Sequence, residues 1–251
     1  MSFKAKRELK SIYRIVINQY SIVFIFHYLI HNIILRIINR KSLKRFDNKT
    51  SQFREELRML DVDNDFFSGN IPTWLRSLEM LGISGNDKIE YLEIGSWQGV
   101  SSIFMLSQFQ NLNATCVDTW EGSDEHKEDA FSRITKTLDS KFDKNVSLYK
   151  NRVIKAKQTS FEFFTSTGIK KYDVIYVDGS HHADDVLIDG LQAFKVLKKG
   201  GLLIFDDYTW KFYSNANENP TSAINAFLKL KKGMYRILDI HQQVHLQKIV
   251  D

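Results

Sequence analysis

From residue 88 onward the chain alternates short apolar runs with stretches of helical periodicity. The apolar runs are rich in β-branched residues, which is typical of strands buried on both faces of a parallel sheet. Alternation of such strands with helices predicts a sheet that has helices on both sides. We therefore expect an α/β protein with a doubly wound, mostly parallel sheet, whose first five strands cover residues 89–94, 114–118, 152–156, 172–178 and 202–206.

The pattern of residues after position 183 predicts the remaining helices and the last two strands of this sheet. A helix is expected over residues 183–197, and it is followed by the Lys-Lys-Gly-Gly stretch 198–201, which is typical of a helix C-terminus. After a further helix at 225–232, the runs 235–240 and 244–250 predict an antiparallel hairpin. The complete expectation is a seven-stranded sheet with this hairpin at its edge.

Charge divides the chain of 251 residues into two parts, since residues 1–60 carry a net charge of +9 and residues 61–251 carry −4. The basic character therefore belongs to the N-terminal segment and does not predict a nucleic-acid-binding domain, which needs a basic face. We expect a helical segment at 1–60, with a polar connection at 41–52, and one domain at 61–251. The single cysteine, Cys116, excludes a disulfide scaffold and favours a cytoplasmic location.

Residues 15–35 contain no Asp, Glu, Lys or Arg, and basic residues lie on both sides of them. A polar stripe that includes Asn18 and Asn32 favours an amphipathic helix over a membrane-spanning one. Three alternatives stay open for residues 11–38: peripheral contact with the anionic inner surface of a membrane, packing on the domain, or packing on a second subunit in a homo-oligomer.

The first predicted strand runs into a glycine-containing turn, Glu-Ile-Gly-Ser-Trp-Gln-Gly at residues 93–99. Gly95 and Gly99 allow a tight turn and the close approach of a ligand at the carboxyl end of the sheet. The spacing differs from the glycine patterns of dinucleotide-binding turns and P-loops. The acidic Glu93 favours a cationic ligand over a phosphate, and a turn without a ligand is the alternative.

The second predicted strand ends at Asp118, which is placed to accept hydrogen bonds from both hydroxyls of a ribose. Trp120 offers a flat face close by for an adenine. A carboxylate at a strand end is also common as a turn residue. The functional interpretation of Asp118 therefore depends on its combination with the Glu93 turn.

The fourth and fifth predicted strands end in acidic residues, Asp178 on one and Asp206 with Asp207 on the other. Because these strands are expected to be neighbours, the three carboxylates would repel one another unless a cation neutralises them. An all-oxygen site of this kind suits Mg²⁺, Mn²⁺ or Ca²⁺. His181 could take a proton from a hydroxyl near neutral pH. The alternative is that the acids cap a turn and the histidine lies on the surface.

In their order along the chain, these motifs resemble the class I S-adenosylmethionine-dependent methyltransferases. They look most like methyltransferase family 24, a branch similar to catechol and macrolide-sugar O-methyltransferases. The resemblance covers about residues 70–250 and rests on E-x-G-x-x-x-G at 93–99, D-T-W-x-G at 118–122, F-x-x-N at 142–145, D-G-S-H at 178–181 and D-D-Y-x-W at 206–210. It implies a Rossmann-like fold and S-adenosylmethionine as the cofactor.

The resemblance also implies roles for individual residues. It implies that the cofactor is bound by Glu93, Gly95, Ser96, Gly99, Asp118, Trp120, Ser160 and Asp178. In metal-dependent relatives a divalent ion such as Mg²⁺ lies at the ends of strands four and five, which here corresponds to Asp178, Asp206 and Asp207. His181 matches the position of the catalytic base in such relatives.

The expected function is methyl transfer from S-adenosylmethionine to a hydroxyl of a small molecule or a sugar. Trp210, Phe212 and Tyr213 either line the acceptor pocket or cover the sheet edge. The alternatives are a non-catalytic ligand-binding or scaffold protein of the same fold and an oxidoreductase with a nucleotide cofactor. A nucleic-acid methyltransferase is disfavoured, because the domain is acidic and has no Asn/Asp-Pro-Pro-aromatic segment.

Overall fold

The computed structural model describes residues 9, 12–13, 22–30, 43–122, 132–166 and 168–251. Its strands are β1 (Ile89–Ile94), β2 (Leu112–Asp118), β3 (Val153–Lys157), β4 (Tyr172–Val177), β5 (Leu197–Phe205), β6 (Tyr235–Ile240) and β7 (Val244–Lys248). The described helices are α1 (Ile22–Leu29), α2 (Asp47–Leu57), α3 (Ile71–Met80), α4 (Val100–Gln108), α5 (Ser132–Thr135), α6 (Leu138–Asn145), α7 (Ser160–Thr165), α8 (Ala183–Val196) and α9 (Pro220–Leu230). Short 3₁₀ helices lie at Ser68–Asn70, Ser147–Arg152 and Ala216–Glu218.

The seven strands form one sheet in the order β3-β2-β1-β4-β5-β7-β6. Strands β1 to β5 are parallel to their neighbours in this group, whereas β7 is antiparallel to both β5 and β6. The predicted mostly parallel sheet with an antiparallel C-terminal hairpin is confirmed. The strand order reverses between β1 and β4, and the carboxyl ends of strands at such a point are where open α/β sheets bind ligands.

The central strands are paired up to their last residues. Ile94 at the end of β1 lies opposite Val177 at the end of β4. Beyond them, the Asp178 N–H donates to the Ile94 carbonyl at 2.9 Å, and the Gly95 N–H donates to the Val117 carbonyl of β2 at 2.8 Å. The residues that follow three adjacent strands are therefore held side by side at one edge of the sheet.

Each face of the sheet carries its own apolar core, because successive strand side chains point to opposite faces. Helices α2, α3, α4 and α6 cover one face, and the core there includes Phe53, Trp74, Tyr91, Phe104, Phe142 and Tyr176. Helices α1, α7, α8 and α9 cover the other face, and that core includes Tyr28, Phe164, Ile175, Phe194, Phe205 and Phe227. The helix layers on both faces agree with the doubly wound architecture expected from the sequence.

Helix α1 packs on the domain through Tyr28, whose side chain is only 1% exposed. The Tyr28 ring lies 6.4 Å from the ring of Tyr208, and Ile12 and Ile25 contact the same core. This contact favours packing on the domain among the three alternatives for residues 11–38. Residues 11, 14–21 and 31–38 lie outside the described part of the chain. Among the described helices, none is long and apolar enough to cross a membrane.

Two boundaries differ from the sequence-based expectations. Residues 198–201 do not end a helix, because α8 stops at Val196 and these residues lie within β5, next to an irregularity in its pairing with β4. The expected polar connection at 41–52 and the domain boundary at residue 61 also need correction. From Asp47 the chain is helical, and Phe53 is 1% exposed in the core of the domain.

Candidate active site

The turn between β1 and α4 depends on glycine at its first position. Gly95 has a φ of +84°, and a Cβ atom added there would lie 2.0 Å from the carbonyl oxygen of Asp178. Gly99 has a φ of +83° and precedes the first residue of α4. Both glycines therefore form the tight turn expected from the sequence, and the first also permits the close packing of the β1 and β4 ends.

Asp118 lies at the carboxyl end of β2 and fixes this turn. Its Oδ2 accepts the Trp97 N–H at 2.8 Å, and its Oδ1 accepts the Trp120 N–H at 2.7 Å. Burial raises the pKa of the Asp118 carboxyl above its ordinary value. Each carboxylate oxygen can accept more than one hydrogen bond, so the position fits the predicted contact with ribose hydroxyls.

Glu93 does not point into the turn as an exposed charge. Its carboxylate is fully buried and accepts hydrogen bonds from the hydroxyls of Tyr91, at 2.9 Å, and of Ser101 and Ser102. Burial raises the pKa of Glu93 to about 7, although the three hydroxyls favour its ionised form. The side chain of Ser96 is also buried, and its hydroxyl has no hydrogen-bond partner within the described parts of the chain.

Trp120 occupies a different position from the one expected. Its side chain is 3% exposed, with the ring centroid 4.7 Å from that of Phe142 and the Lys155 ammonium 4.7 Å from the ring. Its Nε1–H donates to the Trp97 carbonyl at 2.9 Å. The expectation of an open indole face for an adenine needs correction, because the ring is packed between protein groups.

Ser160 is the first residue of α7 and hydrogen-bonds with the Asp189 carboxylate of α8. Asp189 is 3% exposed, and burial raises its pKa to about 7. It lies against the β4 turn, since a Cβ atom on Gly179 would be 3.7 Å from Asp189 Oδ2. No motif marks Asp189 in the sequence, where it looks like an ordinary polar residue of an amphipathic helix.

The acidic residues after β4 and β5 divide into two groups. Ligand atoms of Asp178, His181 and Asp207 lie within 4.8 Å of one another, and His181 Nε2 is 2.7 Å from Asp207 Oδ2. The Asp206 carboxylate instead contacts the Tyr176 hydroxyl and the Gln243 amide. The three expected aspartates thus lie at the same edge of the sheet, and the structure adds the His181 imidazole beside Asp178 and Asp207.

The electrostatics of this edge favour a bound cation or proton. Burial and the charges of Asp206 and Asp207 raise the pKa of Asp178 well above its ordinary range. Burial and the Asp207 charge raise the pKa of Asp206 to about 6. The carboxylates of Asp178 and Asp207 offer oxygen donors that fit a divalent cation, and such a cation would offset the repulsion between the acids.

Tyr176 connects the two groups of acids. It precedes Asp178 by two residues on β4, so its side chain lies on the same face of the sheet, and its hydroxyl is buried. The hydroxyl lies 2.8 Å from Asp178 Oδ2 and also contacts Asp206. No motif predicts this role for Tyr176, and its only signal in the sequence is the spacing of two residues that places it on the same face as Asp178.

Aromatic side chains lie beside the two histidines. The His181 ring centroid is 4.4 Å from that of Trp210, and His182 stacks on Tyr213 at 4.1 Å. Phe212 stacks on Trp210 at 5.7 Å and is 46% exposed. The segment after Asp207 therefore borders the imidazole–carboxylate pair.

Comparison with known proteins agrees with this architecture. Residues 92–208 match a family model described as a methyltransferase domain. No curated protein matches the chain by sequence. The matched range begins inside β1 and ends one residue after Asp207, so it includes every predicted site residue.

Three solved structures are similar to this chain. A Staphylococcus aureus protein assigned as a caffeoyl-CoA O-methyltransferase has 16% identity and a TM-score of 0.54, over 85% of this chain and 100% of that chain. The methyltransferase MycE of the mycinamycin biosynthetic pathway, solved with Mg and S-adenosylhomocysteine, has 15% identity and a TM-score of 0.53, over 80% of this chain and 53% of that chain. The O-methyltransferase TomG of Streptomyces achromogenes, solved with S-adenosylmethionine, has 14% identity and a TM-score of 0.50, over 81% and 89% of the two chains.

At these identities the similar structures establish the fold alone. The range of the family match, residues 92–208, includes the carboxyl ends of the five parallel strands. The sheet order, the glycine turn after β1 and the carboxylate at the end of β2 agree with that match. Residues 92–208 of the chain therefore match a methyltransferase domain model, within a fold that solved O-methyltransferases share.

Proposed function

We propose that this protein transfers a methyl group from S-adenosylmethionine to a hydroxyl of a small molecule or a sugar. The observation that carries the proposal is the His181–Asp207 pair, with 2.7 Å between Nε2 and Oδ2. An imidazole oriented by a carboxylate is a typical general base for a hydroxyl. The pair lies at the sheet edge that also carries the glycine turn, and the residues of β1 and β4 meet there.

The residues around the glycine turn would hold the cofactor. Asp118 would accept hydrogen bonds from the ribose hydroxyls, and the turn from Gly95 to Gly99 would lie under the methionine part. The donor chemistry fits, because a carboxylate and a left-handed glycine turn end two adjacent strands at the same edge. The cofactor, when bound, supplies an electrophilic methyl group on a positively charged sulfur.

His181 would take the proton of the acceptor hydroxyl. With its Nε2–H donated to Asp207, the neutral imidazole carries its lone pair on Nδ1, which is the atom that accepts the proton. The Asp207 carboxylate then stabilises the imidazolium that forms. The protein thus contributes a proton acceptor and an orientation, and orientation alone can supply several kcal/mol.

A divalent cation such as Mg²⁺ would be held at this edge by Asp178 and Asp207, with His181 beside them. Such a cation lowers the pKa of a coordinated hydroxyl. Its binding would also relieve the repulsion that raises the pKa of Asp178. The buried contacts of Asp206 with Tyr176 and Gln243 give that residue a supporting position rather than a direct one.

Calorimetric titration of the full chain tests cofactor binding. We expect S-adenosylmethionine and S-adenosylhomocysteine to bind and NADH not to bind. Asp118→Asn should weaken the affinities for S-adenosylmethionine and S-adenosylhomocysteine. Asp87→Asn changes an exposed turn before the amino end of β1 and should leave both affinities unchanged. Binding of NADH in place of the methyl donor would support the oxidoreductase alternative and contradict the proposal.

Transfer of a labelled methyl group to pools of catechols, sugars and other polyhydroxylated compounds tests the reaction. We expect product with at least one pool, and a change of rate when Mg²⁺ is replaced by EDTA. A chain that binds the cofactor but labels no hydroxyl compound would favour the non-catalytic ligand-binding alternative.

A further inference from the structure

A buried chain of hydrogen bonds leads from the C-terminal hairpin to the acidic edge. Gln243 lies in the turn between β6 and β7 and is 4% exposed. Its Nε2 donates to Asp206 Oδ2 at 2.8 Å. Its Oε1 accepts from Trp74 Nε1 at 2.9 Å and lies 3.1 Å from His245 Nε2. Every polar atom of this amide therefore has a partner.

The chemistry of the partners fixes the direction of each hydrogen bond. The indole Nε1 of Trp74 can only donate, so the Gln243 oxygen must face it and the amide nitrogen must face Asp206. The same oxygen requires His245 to carry its hydrogen on Nε2. His245 Nδ1 then accepts from the Ser77 hydroxyl at 2.8 Å. Burial lowers the pKa of His245 to about 4, so the imidazole is neutral at pH 7.

Asp206 in turn fixes the backbone of the next residue, Asp207. Its Oδ1 accepts the Asp207 N–H at 2.6 Å, and Asp207 has a φ of +55°. A left-handed conformation costs an aspartate about 1 kcal/mol or more and persists only when its surroundings enforce it. In this conformation the Asp207 carboxylate reaches His181 at 2.7 Å.

We infer that Gln243 is a positioning residue: it fixes Asp206, and through Asp206 it holds Asp207 in the conformation that brings its carboxylate to His181. The functional part of this inference rests on the proposed role of the His181–Asp207 pair as a base. The turn that carries Gln243 is itself anchored, because the Tyr208 N–H donates to the Gln242 carbonyl at 2.7 Å. Gln243 acts at a distance from the acceptor and is not a catalytic residue.

Crystal structures of the wild type, Gln243→Leu and Gln247→Leu test the structural part. Gln243→Leu removes the donor to Asp206, and we expect the His181–Asp207 distance to exceed 3.5 Å. Gln247→Leu is the matched control on β7, because that amide donates to the Gly200 carbonyl at 3.3 Å in an exposed contact away from Asp206. An unchanged distance of 2.7 Å in Gln243→Leu would overturn the inference.

Gln243→Glu provides a second variant if the leucine variant does not fold. It keeps an oxygen for Trp74 and His245 but replaces the donor that faces Asp206 with another acceptor. We expect the same displacement of Asp207 and a tenfold to hundredfold lower kcat, with the KM for S-adenosylmethionine unchanged. A fall in thermal stability with unaltered kcat and site geometry would show a merely structural role and overturn the inference. If the wild type transfers no methyl group, the proposed function fails, and the crystal structures still decide the positioning of Asp207.

Discussion

The Tyr176 hydroxyl lies 2.8 Å from Asp178 Oδ2, and this hydroxyl also contacts the Asp206 carboxylate. One phenolic proton thus lies between two acidic groups whose pKa values are both raised, mainly by burial. Tyr176→Phe removes this proton donor from a buried position, and we expect the free energy of unfolding to fall by about 1–3 kcal/mol. Because the lost hydrogen bond favours the ionised carboxylates, the fall should be larger at pH 8 than at pH 5.

Urea unfolding at the two pH values measures this effect. Tyr172→Phe is the matched control on β4, since its hydroxyl has a longer, 3.4 Å contact with the neutral Thr115 hydroxyl. We expect a smaller loss in the control and no such increase between pH 5 and pH 8. Equal losses for the two variants would contradict the bridging role of Tyr176.

His181→Ala should abolish the proposed proton transfer without disturbing the cofactor site. Loss of a general base lowers a rate by about 10²–10⁴-fold, and we expect a decrease in kcat of that size. The calorimetric affinity for S-adenosylmethionine should stay within about twofold, a difference of about 0.4 kcal/mol. His182→Ala, which removes the stacking partner of Tyr213, should have the smaller effect. A larger effect at His182 would identify that residue as the base.

Gly95→Ala should be far more damaging than alanine at another left-handed glycine. The new Cβ atom would meet the Asp178 carbonyl oxygen at 2.0 Å, so two strand ends would have to separate. We expect a loss of more than about 4 kcal/mol in unfolding free energy. Gly82→Ala, with a φ of +72° and no neighbouring atom within 4 Å of the new Cβ, should cost about 1 kcal/mol. Similar midpoints of thermal unfolding for both variants would contradict the close approach.

Glu93 predicts a pH dependence of stability. Its pKa is about 7 in the folded protein, above the ordinary value of 4.5, so the folded state keeps a proton that the unfolded state releases between these values. This group therefore contributes a fall in unfolding free energy as pH rises from about 4.5 to 7, by about 3 kcal/mol in total.

Glu93→Gln carries no titrating group at this position and should lack that contribution. The difference in unfolding free energy between wild type and variant should thus change across this pH range and level off above pH 7. Glu121→Gln, at an exposed position, serves as the control and should follow the wild type. A constant difference between wild type and Glu93→Gln from pH 4.5 to 8 would contradict the raised pKa.

Tyr28→Ala tests whether α1 belongs to the folded domain. The side chain is 1% exposed, and truncation of a buried aromatic residue costs about 3–5 kcal/mol. Phe26→Ala on the same helix changes a side chain that is 65% exposed, and its effect should stay within about 0.5 kcal/mol. If both variants unfold like the wild type in solution, α1 does not pack on the domain, and the membrane and subunit alternatives regain their weight.

The sequence predicted the fold well because burial on both faces leaves a simple pattern. The bounds of β1 and β6 match the expected ranges, and the other strands differ by a few residues at their ends. The longest difference is at β5, where a Lys-Lys-Gly-Gly stretch has the composition of a helix end but continues the strand. The composition of this stretch could not show that the start of β5 pairs with β4, because that pairing joins residues distant in the sequence.

The charged groups of the site could be predicted from the sequence. The contacts that orient these groups could not. Asp178, His181 and Asp207 converge as expected from the order of the strands. The turning of Asp206 toward Gln243 depends on a hairpin that arrives 37 residues later in the chain. The burial of Trp120 depends on Phe142 and Lys155, which no motif connects with it. Contacts of this range follow from packing and not from local pattern.

Trp74 and Gln243 meet beneath the acidic edge, yet both lie outside the range 92–208 that defines the family match. The stretch that the family model matches is therefore shorter than the packed unit, because α3, β6 and β7 lie outside it and contribute to its core. A fragment with the limits 92–208 would keep Asp178, His181 and Asp207. It would lose α3 and the β6–β7 hairpin, whose side chains Trp74 and Gln243 hold Asp206 in place.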